Sequence, residues 1–201
     1  MKKMRRMAAL LLSCVLVAAC PGVGSRAEED TREDFVFGDY VGDVDPASGA
    51  YAWVGMRVGV MESLFKLDDG MNVQKNLVDD YSVSEDGLVW TLKLRDGVLF
   101  QSGNPMDAEA VKASLERTCS MQSRADGELG IASMEADGNV LTITTKKPNP
   151  TLPNCLCDPY SGIVDVKSVG DDGDATIGTG PFKLVEYVEN ERMELDAFDD
   201  Y

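Results

Sequence analysis

Three kinds of side chain in this sequence could meet a small molecule directly. Asp158-Pro159-Tyr160 sets a carboxylate and a phenol in an apolar, proline-flanked stretch. A carboxylate there can pair with an amine or a cationic complex, or it can cap a turn of its own backbone. Tyr51 and Trp53 offer aromatic faces for stacking on a ligand, while Trp53 can equally pack a helix on its core. Arg57 can hold a ligand carboxylate or an ion pair on a helix face. The chain has no histidine. That removes Ser-His-Asp and Cys-His catalysis, HExxH zinc sites and imidazole-ligated metals from these residues. Asp43 and Asp45 are spaced like calcium ligands, but no glutamate follows at the twelfth position. Cys155-x-Cys157 supplies two of the four ligands a closed zinc site needs. Gly178-Thr179-Gly180-Pro181 lacks the Lys-Ser/Thr of a phosphate loop and reads as a conformational turn. Neither a cofactor nor a metal site is expected.

Composition narrows the class. The 201 residues are 44% hydrophobic and 27% charged, which is ordinary globular composition. The 19 basic and 35 acidic residues give a formal charge of -16. So acidic a surface repels nucleic acid and anionic lipid. It serves solubility, or an acidic cleft for a cationic ligand. A single disulfide among Cys119, Cys155 and Cys157 would leave an odd thiol, so buried or unpaired thiols are the simpler expectation.

The N-terminus reads as a targeting segment. Lys2, Lys3, Arg5 and Arg6 precede a short apolar stretch, Met7 to Ala19, with small residues at its end. That is the pattern of a secretory signal peptide, too short for a permanent transmembrane helix. Leu16-Val17-Ala18-Ala19-Cys20 resembles a bacterial lipobox, in which Cys20 is diacylated and becomes the mature N-terminus. Pro21 departs from the usual small residue, and simple secretion with cleavage near Ala27 is the alternative. Residues 20–33 read as a flexible tether.

The elements that would position these side chains mix strands and helices. Residues 34–40 alternate as a first strand, and a loop follows. Ala52 to Phe65 carries apolar residues at helical spacing and predicts a helix. Asn76 to Tyr81 reads as a short helical piece. Ser84 to Gly87 is a tight turn, and Val89 to Arg95 alternates as a half-buried strand. A short strand is expected at Val98 to Phe100. Asp107 is a good N-cap, with Glu109 in the first turn and Val111, Leu115 and Cys119 on one face. A polar loop and a hairpin through Asp137-Gly138-Asn139 follow. Leu152 to Val164 is apolar and irregular. Strands are expected at Phe182 to Val188 and Arg192 to Phe198. The class is α/β to α+β, without internal repeats.

The run LVDDYSVSEDGLVWTLKLRDGVLFQSGNPMDAEAVKASLER resembles the family 5 extracytoplasmic solute-binding proteins, the peptide, nickel and oligopeptide receptors of ABC importers. Ser84, Asp86, Gly87, Trp90, Leu94, Arg95, Gly97, Val98, Phe100, Gly103, Pro105, Ala108, Glu109 and Val111 fit its pattern. MESLFKLDD matches its E-x-L helix end, and Gly178 to Phe182 its G-T-G-P-aromatic motif. Tyr81 stands for the usual Trp and Gln101-Ser102 for the usual His-Asp, reading as surface or packing changes.

The resemblance runs from about Phe35 to Tyr201 and implies a type II two-lobed clamp. Residues 34–45 and 176–201 would belong to the first lobe and 46–175 to an inserted subdomain. Family members are far longer, so a fragment without the second lobe is expected. The loop after the first strand and the edge of the insert would line the cleft, which implicates Tyr51, Trp53, Arg57, Asp158 and Tyr160. Gly178, Thr179, Gly180 and Pro181 would form the interdomain turn. The implied function is capture of a solute, above all a peptide or else a nickel or other metal chelate, for ABC permease subunits, outside the cytoplasm and membrane-tethered through Cys20. The competing classes are a secreted carboxylate-dependent hydrolase, for which no acid pair stands in a motif, and a lipid-anchored sensor or peptide chaperone without a transporter.

Overall fold

Strand β4 (Val89–Leu94) is placed by its own alternation, with Trp90, Leu92 and Leu94 buried between exposed Thr91 and Lys93. In the computed structural model, which describes residues 44–48, 53–170, 173, 175–188 and 191–201, it is central to a four-stranded antiparallel sheet. The order is β3-β4-β6-β5, with β3 Val78–Val83, β5 Ile131–Asp137 and β6 Val140–Thr145. Two local turns set the register. Ser84 to Gly87 closes on a Gly87 N–H to Ser84 carbonyl bond of 2.9 Å, and Val83 faces Trp90. Gly138, at φ 55°, and Asn139 join β5 to β6 so that Met134 faces Ile143.

Helix α2 (Ala108–Met121) covers the inner face of this sheet. Asp107 caps it by accepting from Ala110 N–H at 2.9 Å. Val111 and Leu115 bury fully, and Cys119 is half-buried against the same core. A second helix, α3 (Ser123–Leu129), occupies the expected polar loop and stops at Gly130 in the left-handed region. The apolar stretch from Leu152 contains a helical turn, α4 (Leu152–Cys155), and a 3₁₀ turn at Pro159–Ser161.

Three expected elements differ. The helix over 52–65 is only α1 (Trp53–Arg57). Its continuation fails because Gly59 adopts φ 75°, and the Gly59 and Val60 carbonyls accept instead from Phe182 and Gly180 N–H. Residues 76–81 are not helical; 78–81 belong to β3, because pairing with β4 and the seating of Tyr81 between Phe65 and Trp90 override local preference. Val98 to Phe100 forms no strand, only the isolated bridge Leu99 to Pro105. The turn at 68–72 is flanked by a small hairpin of β1 (Phe65–Leu67) and β2 (Val73–Lys75). The expected first strand, the signal segment, the tether, Cys20 and Tyr51 lie outside the described residues.

A second, smaller core collects Val44, Val54, Val60, Met61, Val164 and Ala175. The hairpin of β7 (Phe182–Val188) and β8 (Arg192–Ala197) packs on it through Leu184, Met193 and Leu195. The three body cysteines are free thiols. Burial pushes the Cys157 thiol up to about 11, so it is an inert thiol at neutral pH.

Candidate functional site

The two stretches singled out for ligand contact come together. Helix α1, with Trp53 and Arg57, lies against the Pro159–Ser161 turn. The loop 44–48 closes the same wall. A β-carbon on Gly55 would stand 2.6 Å from the Val44 carbonyl, and one on Gly162 3.4 Å from Pro46 Cβ. At Gly55 backbone thus meets backbone and a side chain larger than hydrogen is excluded, while at Gly162 the loop lies in close packing distance.

On this wall Trp53 is half-buried and Arg57 exposed. The Arg57 guanidinium sits 4.6 Å from the centre of the Trp53 ring, a cation–π pair that holds a positive charge on an aromatic platform. Asp158 caps the 3₁₀ turn, accepting from Tyr160 N–H at 3.5 Å, and pairs with Arg124 at 2.9 Å. Tyr160 is buried, and its hydroxyl donates to Glu128 at 2.8 Å. Arg124 also donates to Glu128 at 2.9 Å. Bonds from Arg124 and then Tyr160 hold the Glu128 carboxyl below its ordinary value. Burial, reinforced by the bond to Glu128, pushes the Tyr160 phenol far above its own. Asp158 and Tyr160 therefore face into a network of this chain's own groups, whereas Arg57 is exposed and Trp53 is half-buried against the second core.

The Gly178-Thr179-Gly180-Pro181 turn is the second fixed feature. A β-carbon on Gly178 would stand 2.3 Å from the Val60 carbonyl, and one on Gly180 2.2 Å from the Gly59 carbonyl. Thr179 is buried and donates to Glu62 at 3.0 Å. The Gln101 amide nitrogen donates to the Val60, Gly180 and Phe182 carbonyls at 2.7, 3.0 and 2.7 Å. Its amide oxygen accepts from Gly178 N–H at 3.0 Å. Gln101, one of the two departures from the family pattern, thus stitches this turn to the sheet-bearing part of the chain. Nothing in its local spacing announces that role. The same holds for the contacts of Arg124 with Asp158, Glu128 with Tyr160 and Arg117 with Asp45, all between residues far apart in sequence, although Arg124 and Glu128 also pair with each other at helical spacing. Among the described residues, no group of three or more Cys, Asp or Glu is placed to hold a metal ion. No helix among them is long and apolar enough to cross a membrane.

Residues 72–201 match the family described as bacterial extracellular solute-binding proteins, family 5 middle. The chain belongs to that family. The nickel-binding protein NikA of Staphylococcus aureus is 34% identical over 148 residues, which is 74% of this chain and 30% of that protein. The glutathione-binding protein GsiB of Escherichia coli O1:K1 is 30% identical, covering 96% of this chain and 38% of GsiB. The crystal structure of a nickel ABC transporter protein from Bacillus halodurans superposes with a TM-score of 0.75 at 37% identity, covering 82% of this chain and 34% of that one. The family 5 chain therefore spans about a third of the length of these relatives, and its mixed α/β fold is that part of theirs. The family is one of transport receptors rather than enzymes, which replaces the hydrolase alternative.

Proposed function

We propose that this family 5 chain supplies one wall of the ligand cleft of an extracytoplasmic receptor that hands a small solute to an ABC importer. The observation that carries this reading is the meeting of α1 with the Asp158–Ser161 turn, where the exposed Arg57 lies over the ring of a half-buried Trp53. A planar cation over an aromatic face suits a solute with a carboxylate and an apolar or chelate body. Peptide-like molecules and carboxylate-bearing nickel chelates both meet that description, in keeping with what NikA and GsiB are named for. Asp158 and Tyr160 support the wall through Arg124 and Glu128. Residues 34–45 and 176–201 form the first lobe and 46–175 the insert, with 53–61 packed at their junction and Gly178–Pro181 as the turn between them. Cys20 carries the lipid that tethers the receptor.

Titration calorimetry of the intact protein with nickel(II) and L-histidine, with reduced glutathione and with a dipeptide mixture tests the reading. Binding of one class is expected. Arg57→Ala should weaken it about tenfold with little change in melting temperature, and Trp53→Ala should weaken it as much while also lowering the melting temperature, because Trp53 packs on the second core. Absence of binding to all three, or full affinity in both variants, sinks the assignment. Labelled palmitate should enter the wild type and not Cys20→Ser; equal labelling removes the anchor.

A further inference from the structure

Asp45 and Arg117 form an ion pair that is almost fully buried. Arg117 Nη1 donates to Asp45 Oδ1 at 2.8 Å and Nη2 to Oδ2 at 2.6 Å, a two-pronged fork that fixes the plane of the carboxylate. Asp45 Oδ1 also accepts from Ala47 N–H at 2.8 Å, and Oδ2 from Ala175 N–H at 3.0 Å. Arg117 Nη2 donates further to the Gly173 carbonyl at 2.8 Å. The pair thereby joins three stretches that are remote in sequence: the loop 44–48, helix α2 and residues 173–175. Buried charges persist only when satisfied this completely, since each costs several kcal/mol to desolvate.

The loop held by this pair leads into α1. The Val44 carbonyl touches Gly55, and Pro46 touches Gly162 beside the Asp158–Ser161 turn. The loop that carries Asp45 therefore packs directly on the helix that carries Trp53 and Arg57. Arg117 rides on α2, which the sheet and the Asp107 cap anchor. The fork transfers that rigidity to a loop with little regular structure of its own.

We propose that Arg117, acting through Asp45, is the positioning residue of the ligand-facing wall. It fixes the loop 44–48 and α1 so that a solute meets Trp53 and Arg57 in one arrangement, before any ligand arrives. The proposal rests on the receptor reading above. Lysine keeps the charge at 117 but loses the planar fork. Asp45→Asn with Arg117→Met removes both charges at similar volume, a change that buried pairs tolerate in stability.

The test is hydrogen–deuterium exchange by mass spectrometry on the intact protein, with calorimetry against nickel(II)–L-histidine and reduced glutathione. In Arg117→Lys and in the double variant, peptides within 44–58 should exchange about tenfold faster, with 89–94 and 140–145 unchanged. Affinity for the probe that binds the wild type should fall about tenfold. Uniform acceleration across the chain makes the pair a general stabiliser and overturns the proposal. Unchanged exchange at 44–58, or local loosening with full affinity, also overturns it. If the wild type binds neither probe, the receptor reading fails for those solutes, and the exchange pattern alone decides whether the pair positions the wall.

Discussion

Gly180 has no room for a β-carbon, because the Gly59 carbonyl oxygen would stand 2.2 Å away and its carbon 2.8 Å away. Neither atom belongs to a side chain that can swing aside, so even alanine must push two backbone segments apart. Gly180→Ala is expected to lower the unfolding free energy by about 3 kcal/mol, read from urea denaturation. Gly127 is the contrast. It lies inside α3 with nothing within 4 Å of an added β-carbon. Gly127→Ala should therefore raise stability by about 0.5–1 kcal/mol in the same assay, through helix propensity alone. Equal effects at the two sites would mean that the close approach at Gly180 relaxes freely. The sequence marks both as glycine and does not distinguish them. What separates them is a backbone that comes from about 120 residues earlier in the chain.

At the scale of elements, local chemistry decided some pieces and tertiary pairing decided others. Helix α2 was legible because a cap, a first-turn acid and an apolar face are all written within its own residues. Asp107→Ala should cost about 1 kcal/mol, measured by thermal or urea unfolding. Strand β3 was not legible, because Asn76 to Tyr81 carries no alternation strong enough to exclude a helical turn. It takes its state from the register with β4 and from the Tyr81 ring between Phe65 and Trp90. Asp165 shows how elements are joined. Its Oδ2 accepts from Asn104 at 2.8 Å and from Ser102 and Ser168 at 2.7 Å, and its Oδ1 from Lys167 N–H at 3.0 Å. Burial opposes its charge, and these bonds outweigh burial, holding the carboxyl below its ordinary value of 3.8. A depressed folded-state value means that the stabilisation is complete above the ordinary carboxylate range and is lost as pH falls below it. Asp165→Asn should therefore lower stability at neutral pH and flatten the loss that sets in as pH falls below the ordinary carboxylate range. An unchanged acid limb in the variant would remove Asp165 from the acid response.

The whole molecule carries a formal charge of -16. Self-repulsion of that size opposes the folded state and is screened once the Debye length shortens to about 8 Å near 0.15 M salt. The melting temperature should therefore rise between about 10 mM and 150 mM sodium chloride. A fall would mean that pairs such as Arg192–Glu186 and Lys146–Asp126 outweigh the repulsion. The sequence by itself determined the family, the sheet's central strand, the capped helix, the β5–β6 hairpin and the absence of histidine chemistry. The strand, the helix and the hairpin are each fixed by residues within one element, where spacing and turn chemistry act over a few bonds, while the family is carried by motifs in order and the histidine count by composition. Only the tertiary structure decided that α1 is short, that Trp53 and Arg57 stand beside the Asp158 turn, and that Asp158 and Tyr160 are engaged by Arg124 and Glu128. It alone joined Asp45 to Arg117 and Gln101 to Gly178. Those contacts link positions tens to more than a hundred residues apart, and no local pattern of charge or hydropathy encodes which distant partner a buried polar group will find.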